Sequence, residues 1–322
     1  MTLRKFWDRA VRGFLGVAAL LSAAVLMGIL IFLLSYGVRA FLPKAKVNPI
    51  AQQTDDPRFS EPDISPSEEP ASLQGFFFGS RWNPDAYGKP SYGIIPLVLG
   101  SLITTIIALI LAVPSGIASA IFIAERLKGS VRIVAKTIVE LFAGFPSVVL
   151  GFFGLVVLAP FFARLFHAPS GLNLLTAGII LGLMALPTII SVSDDALRVV
   201  PYSYREGAYA LGATPLTTAL RIVLPAAKSG ILAAVMLGFG RAIGETMAVL
   251  MVAGNAPVIP KSLLDPVRTI TSTIAIELGE TPFNTTHFFL LFALGFILFL
   301  IALGTNLLAE SLIRREKQSF TL

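Results

Sequence analysis

Six runs of apolar residues, each long enough to cross a bilayer as a helix, constrain this chain more than any other feature of its sequence. A transmembrane helix needs roughly 20 mainly apolar residues. The runs lie at residues 14–36, 94–123, 138–162, 172–192, 231–253 and 288–312. Only 14% of the residues are charged, against about 25% in soluble proteins. We therefore predict an all-α integral membrane protein with six transmembrane helices.

The runs also predict how the chain is organised. We expect an N-terminal transmembrane helix at residues 1–40, an external loop at 41–93, a five-helix core at 94–312 and a tail at 313–322. The first run is too long for the apolar part of a signal peptide, so we interpret it as an uncleaved span. Residues 54–70 are rich in proline and acidic side chains, which bury too little apolar surface to become ordered. A plain spacer is one interpretation of that segment and a recognition element is the other.

Lysine and arginine residues predict the orientation, because short cytoplasmic loops carry an excess of them. With the N-terminus inside, fifteen of these residues fall in cytoplasmic segments and three in the short external loops. The long external loop is left out of the comparison, because long segments translocate whatever their charge. Both termini and a loop at residues 193–229 are therefore predicted to be cytoplasmic, with a short basic loop at 125–136.

Several runs contain residues that interrupt helices. In the third run, Gly144-Phe145-Pro146-Ser147 predicts a broken or bent helix. Near its start, Glu140 either faces cytoplasmic water or lines a polar cavity. The fourth run is cut by Pro187, and in the second run Pro114 predicts a kink or a projection into the cytoplasm. Small residues between Gly100 and Ala108 predict a face on which another helix packs closely.

A polar segment at residues 205–225 has the features of two short helices joined by a tight turn. Ser203 and Glu206 fit the capping box that begins a helix, and Gly212 can end it in left-handed geometry. Thr214 and Pro215 then suit the N-cap and first position of a second helix, which Pro225 ends. We predict a docking element, because these helices are too short and too closely tethered to the membrane to read DNA.

The fifth run contains two ionisable residues. Arg241 and Glu245 are four positions apart, so one helix places them on the same face, which continues to Asn255. An ionised group within a span costs about 2.5–3.5 kcal/mol on insertion scales. One interpretation is a pair that only offsets its own burial. The other is an anion pathway, because the arginine fork matches tetrahedral oxyanions; its candidate residues are Arg241, Glu245, Glu140 and Asn255.

The polar segment resembles the EAA loop of binding-protein-dependent ABC importer permeases, the MetI-like family. The match comprises Glu206-Gly207-Ala208, Gly212 after three residues, and Ile222-Val223-Leu224-Pro225 after nine more. Gly207 replaces the usual alanine, which lowers helix propensity by about 1 kcal/mol. The resemblance implies that this loop couples the spans to a separate ATPase. The coupling residues it implies are Glu206, Gly207, Ala208, Gly212, Ile222, Leu224 and Pro225.

The fifth run narrows the resemblance to PstC-type permeases of phosphate-specific importers. Its sequence GRAIGETMAV at 240–249, followed by VAGN at 252–255, is similar to these proteins, whereas the sister PstA type usually continues with Ala-Pro after its Glu-Thr. The resemblance covers residues 75–312. It implies inorganic phosphate as the substrate, a PstA-like permease partner, a homodimeric ABC ATPase and an extracytoplasmic phosphate-binding protein. It also implies the bacterial cytoplasmic (inner) membrane as the location.

We predict no enzymatic activity and no bound cofactor, with ATP held by the partner subunit. Gly88-Lys89 is followed by Pro90 and has Asn83 where a P-loop requires its first glycine. The chain has no cysteine and two histidines, both assigned to external loops, so no metal site is predicted. The alternatives are a permease for another oxyanion such as molybdate or sulfate, a PstA-type subunit, and a secondary anion transporter. An intramembrane enzyme is disfavoured, because no zinc-binding or serine–lysine arrangement lies at membrane depth.

Overall fold

A computed structural model describes residues 2–42, 70–86 and 90–319, and its regular structure is helical apart from one two-stranded antiparallel sheet. The proline-rich segment at residues 54–69 lies outside the described part of the chain. In chain order the elements are α1 (Thr2–Val38), α2 (Leu73–Phe78), β1 (Trp82–Asn83), β2 (Ser91–Tyr92), α3 (Ile95–Glu125), α4 (Gly129–Ala143), α5 (Ser147–Phe153), α6 (Ala159–Leu165), α7 (Leu174–Val199), α8 (Tyr202–Ala210), α9 (Pro215–Thr218), α10 (Leu224–Ala226), α11 (Lys228–Ile243), α12 (Met247–Val252), α13 (Ile270–Glu277) and α14 (Thr286–Ser319).

Within the described residues, five helices are long and apolar enough to cross a membrane, and a sixth span is reached if one bent pair of helices is counted. The bent pair, Pro215–Ala226 and Lys228–Ile243, turns by 75° at its break. The five helices are Val11–Phe41, Ile95–Glu125, Ser147–Leu165, Leu174–Val199 and Thr286–Leu308. The predicted all-α membrane architecture is therefore confirmed, and the fifth run is the part that departs from a simple span.

The third run is broken where the sequence predicted. Helix α4 ends at Ala143, and α5 begins at Ser147 after Gly144-Phe145-Pro146. The preceding residues differ from the prediction, because most of the basic segment at 125–136 is the first part of α4 rather than a loop. Gly129, with φ +55°, turns the chain out of α3. Arg132 and Lys136 then lie on one side of α4 and pair with α7, which stabilises the helix.

One predicted helix interruption, at Pro187, does not occur. Helix α7 continues through Pro187 and extends to Val199, seven residues into the predicted loop at 193–229. Helix α3 likewise continues through Pro114. A proline removes one backbone hydrogen bond, but neighbouring helices can compensate for that loss in a membrane bundle. Tertiary packing thus overrides the local signal at Pro187, and α3 keeps its helix through Pro114.

The central contact of the fold is the close packing of α3 against α7. Gly182 of α7 faces Ala108, and a Cβ added there would lie 3.1 Å from the Ala108 carbonyl oxygen. At Gly116, an added Cβ would lie 2.8 Å from Ile189 of α7. Small residues therefore allow the two backbones to approach, as predicted for this face. The buried small residues recur at every fourth position of α3: Gly100, Thr104, Ala108, Ala112, Gly116 and Ala120.

The fifth run is not one helix, so the predicted continuous span at 231–253 is wrong. Helix α11 ends at Ile243 with Gly244 as its C-cap, and α12 begins only at Met247. At its other end, α11 meets the short α10 across the 75° bend at Ala227. The break matters for function, because Arg241 and Glu245 lie on opposite sides of it.

The end of the molecule opposite the polar loop is closed by an apolar cluster around α14. Phe76 of α2 and Trp82 of the hairpin pack there against Leu290 and Leu291. The region at 254–287, predicted as a loop, contains α13, whose N-cap Thr269 accepts a hydrogen bond from Ser272. Of these elements, α13 packs against α12 as well as against α14.

Candidate functional site

The polar loop folds as two short helical segments joined by a turn, with different caps from those predicted. Helix α8 begins after Pro201 without a side-chain cap, so the capping box of Ser203 and Glu206 is wrong. Ser203 already lies inside the helix, because Pro201 supplies the initial backbone geometry. The other signals are confirmed: Gly212 has φ +79°, and Thr214 Oγ1 accepts from Thr217 N at 3.3 Å. The second segment ends at Ala226, one residue beyond Pro225.

Most of the predicted coupling residues lie on the outer surface of this loop. Glu206, Gly207, Gly212, Ile222 and Pro225 are exposed. Leu224 is half-buried, and Ala208 is buried against the protein. Ala208 is therefore not part of the exposed surface of this loop.

Apolar side chains on the same loop face outward. Leu211 is 90% exposed and Leu216 is 55% exposed, and Leu220 and Ile222 continue the surface. In a short polar loop, a group of exposed large apolar residues indicates a protein-interaction surface. The arrangement therefore fits a docking element.

Arg205 anchors this loop to the membrane helices, and sequence reasoning did not identify its role. Its Nη2 lies 2.7 Å from Glu125 Oε1 at the end of α3. The same guanidinium donates to the carbonyl oxygens of Leu197 and Val200, at 3.0 and 2.9 Å, at the end of α7. Arg205 is buried, with its side chain only 11% exposed. No sequence signal joins two residues 80 positions apart.

A second pairing ties α4 to α7 near the same end of the bundle. Asp194 is 1% exposed and accepts hydrogen bonds from Arg132 at 2.7 and 3.0 Å. Lys136 lies 3.4 Å from the same carboxylate and also pairs with Asp195. The hydrogen bond that Lys136 donates to Asp195 raises the pKa of Lys136, so that amine remains charged. The α3, α4, α7 and α8 ends are therefore linked by buried ion pairs.

Arg241 does not pair with Glu245, and that part of the prediction is wrong. None of the ion pairs among the described residues joins the two side chains. Arg241 instead donates to Thr188 Oγ1 on α7 and to the carbonyl oxygen of Ala143, each at 3.1 Å. Ala143 is the last residue of α4, where carbonyls lack helical partners. Arg241 therefore joins three helices at the break between α4 and α5.

The other predicted pathway residues occupy different places. Glu245 accepts from Ala248 N at 3.3 Å, near the start of α12, and its carbonyl accepts from Thr271 Oγ1 at 2.9 Å. An acidic side chain is favourable at a helix N-terminus, which explains its position. Glu140 is exposed on α4, one turn before Ala143. Glu140 thus lies on the helix whose last carbonyl Arg241 contacts.

Asn255 lies beyond the far end of α12, in left-handed geometry with φ +51°. Its carbonyl oxygen accepts from Arg268 Nε at 2.8 Å, and Arg268 Nη1 lies 2.7 Å from Glu277. Glu277 also accepts from the indole of Trp82 at 3.0 Å and contacts His287 at 2.8 Å. His287 was expected in an external loop, but it is the second residue of α14. Asn255 thus belongs to an outer polar cluster separate from Arg241.

One pKa in this outer region is shifted. Burial raises the pKa of the Tyr92 hydroxyl, and the nearby carboxylates Asp85 and Glu277 raise it further. Tyr92 packs its ring against Trp82 and His287 at centroid distances of 5.9 and 6.0 Å. The tyrosine therefore remains a neutral part of the cluster.

The turn at Gly212 gives a first test of the coupling role that the sequence predicts for this loop. Replacing Gly212 with valine should abolish ATP-driven uptake, because a β-branched residue in left-handed geometry is strained by about 1–3 kcal/mol. An added Cβ would meet nothing within 4 Å, so the effect acts through the backbone alone. Uptake and ATP hydrolysis would be measured together in proteoliposomes.

Glu206→Gln is the matched control, since it removes the charge at an exposed position of the same loop without straining the backbone. We expect it to retain coupling. If Gly212→Val kept normal uptake while Glu206→Gln lost it, the loop would act through its charge and not through its shape.

Comparison with known proteins supplies the context for this arrangement. Residues 112–318 match the family described as the binding-protein-dependent transport system inner membrane component. The chain is 40% identical over 242 residues to the probable ABC transporter permease protein YqgH of Bacillus subtilis, covering 75% of this chain and 78% of that protein. It is 38% identical over 259 residues to the phosphate transport system permease protein PstC of Pasteurella multocida, covering 74% and 79%. For PstC 1 of Mycobacterium tuberculosis, the identity is 36% over 279 residues, with 76% and 82% covered.

Solved structures agree on the fold. The MetNI methionine ABC transporter in an inward-facing conformation matches 69% of this chain and 94% of the compared chain, with a TM-score of 0.52. The sequence identity is 18%, so this likeness concerns the fold alone. It confirms the predicted MetI-like permease architecture.

Proposed function

The chain belongs to the binding-protein-dependent transport system inner membrane components, and on that basis we propose that it is the permease subunit of an ATP-driven importer of inorganic phosphate. The observation that carries the substrate assignment is its 36–38% identity, over about three-quarters of the chain, to phosphate transport permeases from two bacteria. The GRAIGETMAV sequence at 240–249 supports the same substrate, because it resembles phosphate-specific permeases and contains Arg241, which reaches the break between α4 and α5.

The proposed coupling path begins at the loop that carries Glu206 and Gly212. Its exposed apolar residues, among them Leu211 and Leu216, provide a surface for a separate ATPase. Arg205 then connects α8 to the ends of α3 and α7 through buried hydrogen bonds. Because α3 and α7 are closely packed on each other, movement of α8 is transmitted to both together. ATP is bound by the partner, and this chain acts as a permease and not as an enzyme.

Arg241 is the proposed contact for phosphate. A guanidinium has five N–H donors, and the described residues accept hydrogen bonds from two of its nitrogens, Nη1 and Nη2. The remaining donors are left for a tetrahedral oxyanion, which arginine recognises in a bidentate manner. Glu245, Glu140 and Asn255 remain candidate pathway residues, and Glu140 lies on the helix whose last carbonyl Arg241 contacts.

Membership of the family implies the partners of the proposed assembly and its orientation in the membrane. The partners are a PstA-like permease, a homodimeric ABC ATPase and an extracytoplasmic phosphate-binding protein. The coupling loop and both termini would face the cytoplasm of a bacterial cell, with the spans in the inner membrane. The excess of basic residues at the loop end supports this orientation, and the Glu277 cluster would face outward.

Transport by the reconstituted importer tests the proposal. Proteoliposomes containing the chain and its co-purified subunits should take up labelled phosphate only when ATP and the binding protein are present. Excess unlabelled phosphate should abolish the signal, whereas molybdate and sulfate should not. Competition by molybdate or sulfate alone would identify another oxyanion importer, and uptake without ATP would identify a secondary transporter.

A further inference from the structure

A basic cavity lies where the ends of α3 and α7 meet the coupling helix α8. Its volume is about 780 Å³, and three of the residues lining it are Arg126, Lys128 and Arg198. These three side chains are exposed, and none takes part in an ion pair found among the described residues. Glu125 and Arg205 also line the cavity but neutralise each other. The cavity therefore presents three uncompensated positive charges.

An apolar groove adjoins this cavity. The groove has a volume of about 510 Å³ and lies between α3 and α4, with Phe122, Ala135 and Ile138 among its walls. Leu127 lines both the cavity and the groove, so the two adjoin at that residue. A deeper apolar pocket of about 520 Å³ shares Ile138, Val139 and Ile190 with the groove.

The combination matches the chemistry of one class of molecule. The cavity lies at the ends of two candidate membrane spans, Ile95–Glu125 and Leu174–Val199, where lipid headgroups are found. Arginine and lysine bind phosphate groups through charge-assisted hydrogen bonds, and the hydroxyls of Tyr202 and Tyr209 add further donors in the cavity. The adjoining groove has apolar walls. An acyl chain would contact these walls, whereas free inorganic phosphate would occupy only the basic cavity.

We propose that this is a binding site for an anionic phospholipid of the inner leaflet. The phosphate-bearing headgroup occupies the basic cavity, and one acyl chain lies in the groove between α3 and α4. The assignment to the inner leaflet rests on the proposed function, but the lipid site itself does not depend on which substrate is transported. Because the headgroup lies beside Arg205, the lipid contacts α8 and the ends of α3 and α7 at the point where they are joined.

Native mass spectrometry of the full-length permease, purified with the subunits that accompany it, tests the site directly. After delipidation, phosphatidylglycerol and phosphatidylcholine with identical acyl chains would be added separately. We expect phosphatidylglycerol to be retained preferentially. Arg126→Gln combined with Arg198→Gln should weaken its binding about tenfold or more, because each basic residue near an anionic lipid contributes roughly a fivefold factor.

Two matched controls test whether lipid binding depends on this cavity and groove. One removes exposed positive charges elsewhere, and the other enlarges an apolar side chain outside the groove. Arg12→Gln combined with Arg221→Gln removes two exposed cations that do not line the cavity and should leave binding unchanged. Ala135→Phe fills the groove and should displace the lipid, whereas Val131→Phe, exposed on the same helix and outside the groove, should not.

Three outcomes would overturn the proposal. Equal binding of the two lipids would exclude recognition of an anionic headgroup. Equal losses in the two double variants would show nonspecific attraction. Displacement of phosphatidylglycerol by millimolar inorganic phosphate, together with normal lipid binding by Ala135→Phe, would identify the cavity as a free-phosphate site instead. Every readout in this experiment is the mass of bound lipid. A failure of the proposed transport function would appear only in the separate phosphate-uptake assay, so the two failures can be distinguished.

Discussion

Replacing Arg205 with alanine should uncouple ATP hydrolysis from transport and release α8 from the membrane helices. The variant loses the 2.7 Å contact with Glu125 and both hydrogen bonds to the end of α7. Removing one partner of a buried ion pair costs about 3–5 kcal/mol, because the other charge is left uncompensated. Phosphate uptake should be lost while the ATPase continues to turn over.

Hydrogen exchange provides the structural readout for this prediction. The amides of α8 should exchange on the order of 100-fold faster in Arg205→Ala, as expected when local opening becomes easier by about 3 kcal/mol. Arg221→Ala is the matched control, because it removes an exposed arginine from the same loop and should leave α8 exchange unchanged. Protection of α8 and uptake that both matched wild type would contradict the anchoring role.

Conservative replacements show which part of the Arg205 side chain matters. Arg205→Lys keeps the charge beside Glu125 but cannot reach both carbonyl oxygens at the end of α7 with a planar fork. It should therefore give intermediate exchange and partial coupling. Glu125→Gln should weaken the anchor less than Arg205→Ala, since the hydrogen bonds to Leu197 and Val200 remain.

Replacing Arg241 with glutamine should reduce ATP-dependent phosphate uptake by roughly 10- to 100-fold. A hydrogen bond to a charged group contributes about 1.5–3 kcal/mol, which corresponds to that range. Glutamine retains an amide donor for Thr188 or Ala143, so the junction of α4, α7 and α11 should persist. Uptake would be measured in proteoliposomes with saturating binding protein, alongside assembly and thermal stability.

Thr188→Val separates a substrate role from a purely structural one. The substitution removes the hydroxyl that Arg241 contacts at 3.1 Å while keeping a similar shape. If Arg241 binds phosphate, Thr188→Val should retain most uptake. Equal losses of uptake and thermal stability in both variants would show that Arg241 only joins the helices. Normal uptake by a fully assembled Arg241→Gln importer would remove it from the pathway.

Local sequence signals were sufficient wherever one residue type has a strong backbone preference. Gly212 adopts the left-handed geometry that the turn requires, and Thr214 caps the segment that Pro215 begins. The break at Gly144–Pro146 also follows from local chemistry. By contrast, Ser203 fits a capping box but lies inside α8, because Pro201 is the N-cap and the helix begins at Tyr202, two positions earlier than a Ser203 cap would allow.

Side-chain partners could not be inferred from helical spacing. Arg241 and Glu245 are one helical turn apart in sequence, yet the break at Gly244 directs them to different neighbours. The same limit applies to Arg205 and to Asp194, whose partners lie on other helices. Periodicity predicts a face only while a helix remains continuous, and tertiary contacts decide where it stops.

The sequence by itself determined the membrane class, the positions of most spans and the loop that resembles the family's coupling element. These features depend on apolar length, charge counts and the backbone preferences of glycine and proline, all of which are local. Tertiary structure alone decided that α3 and α7 run through their prolines, that Arg241 joins α4 to α7, and that Arg205 anchors α8. Those outcomes depend on desolvated contacts between distant segments, and the stabilisation they provide exceeds the local preferences that they override.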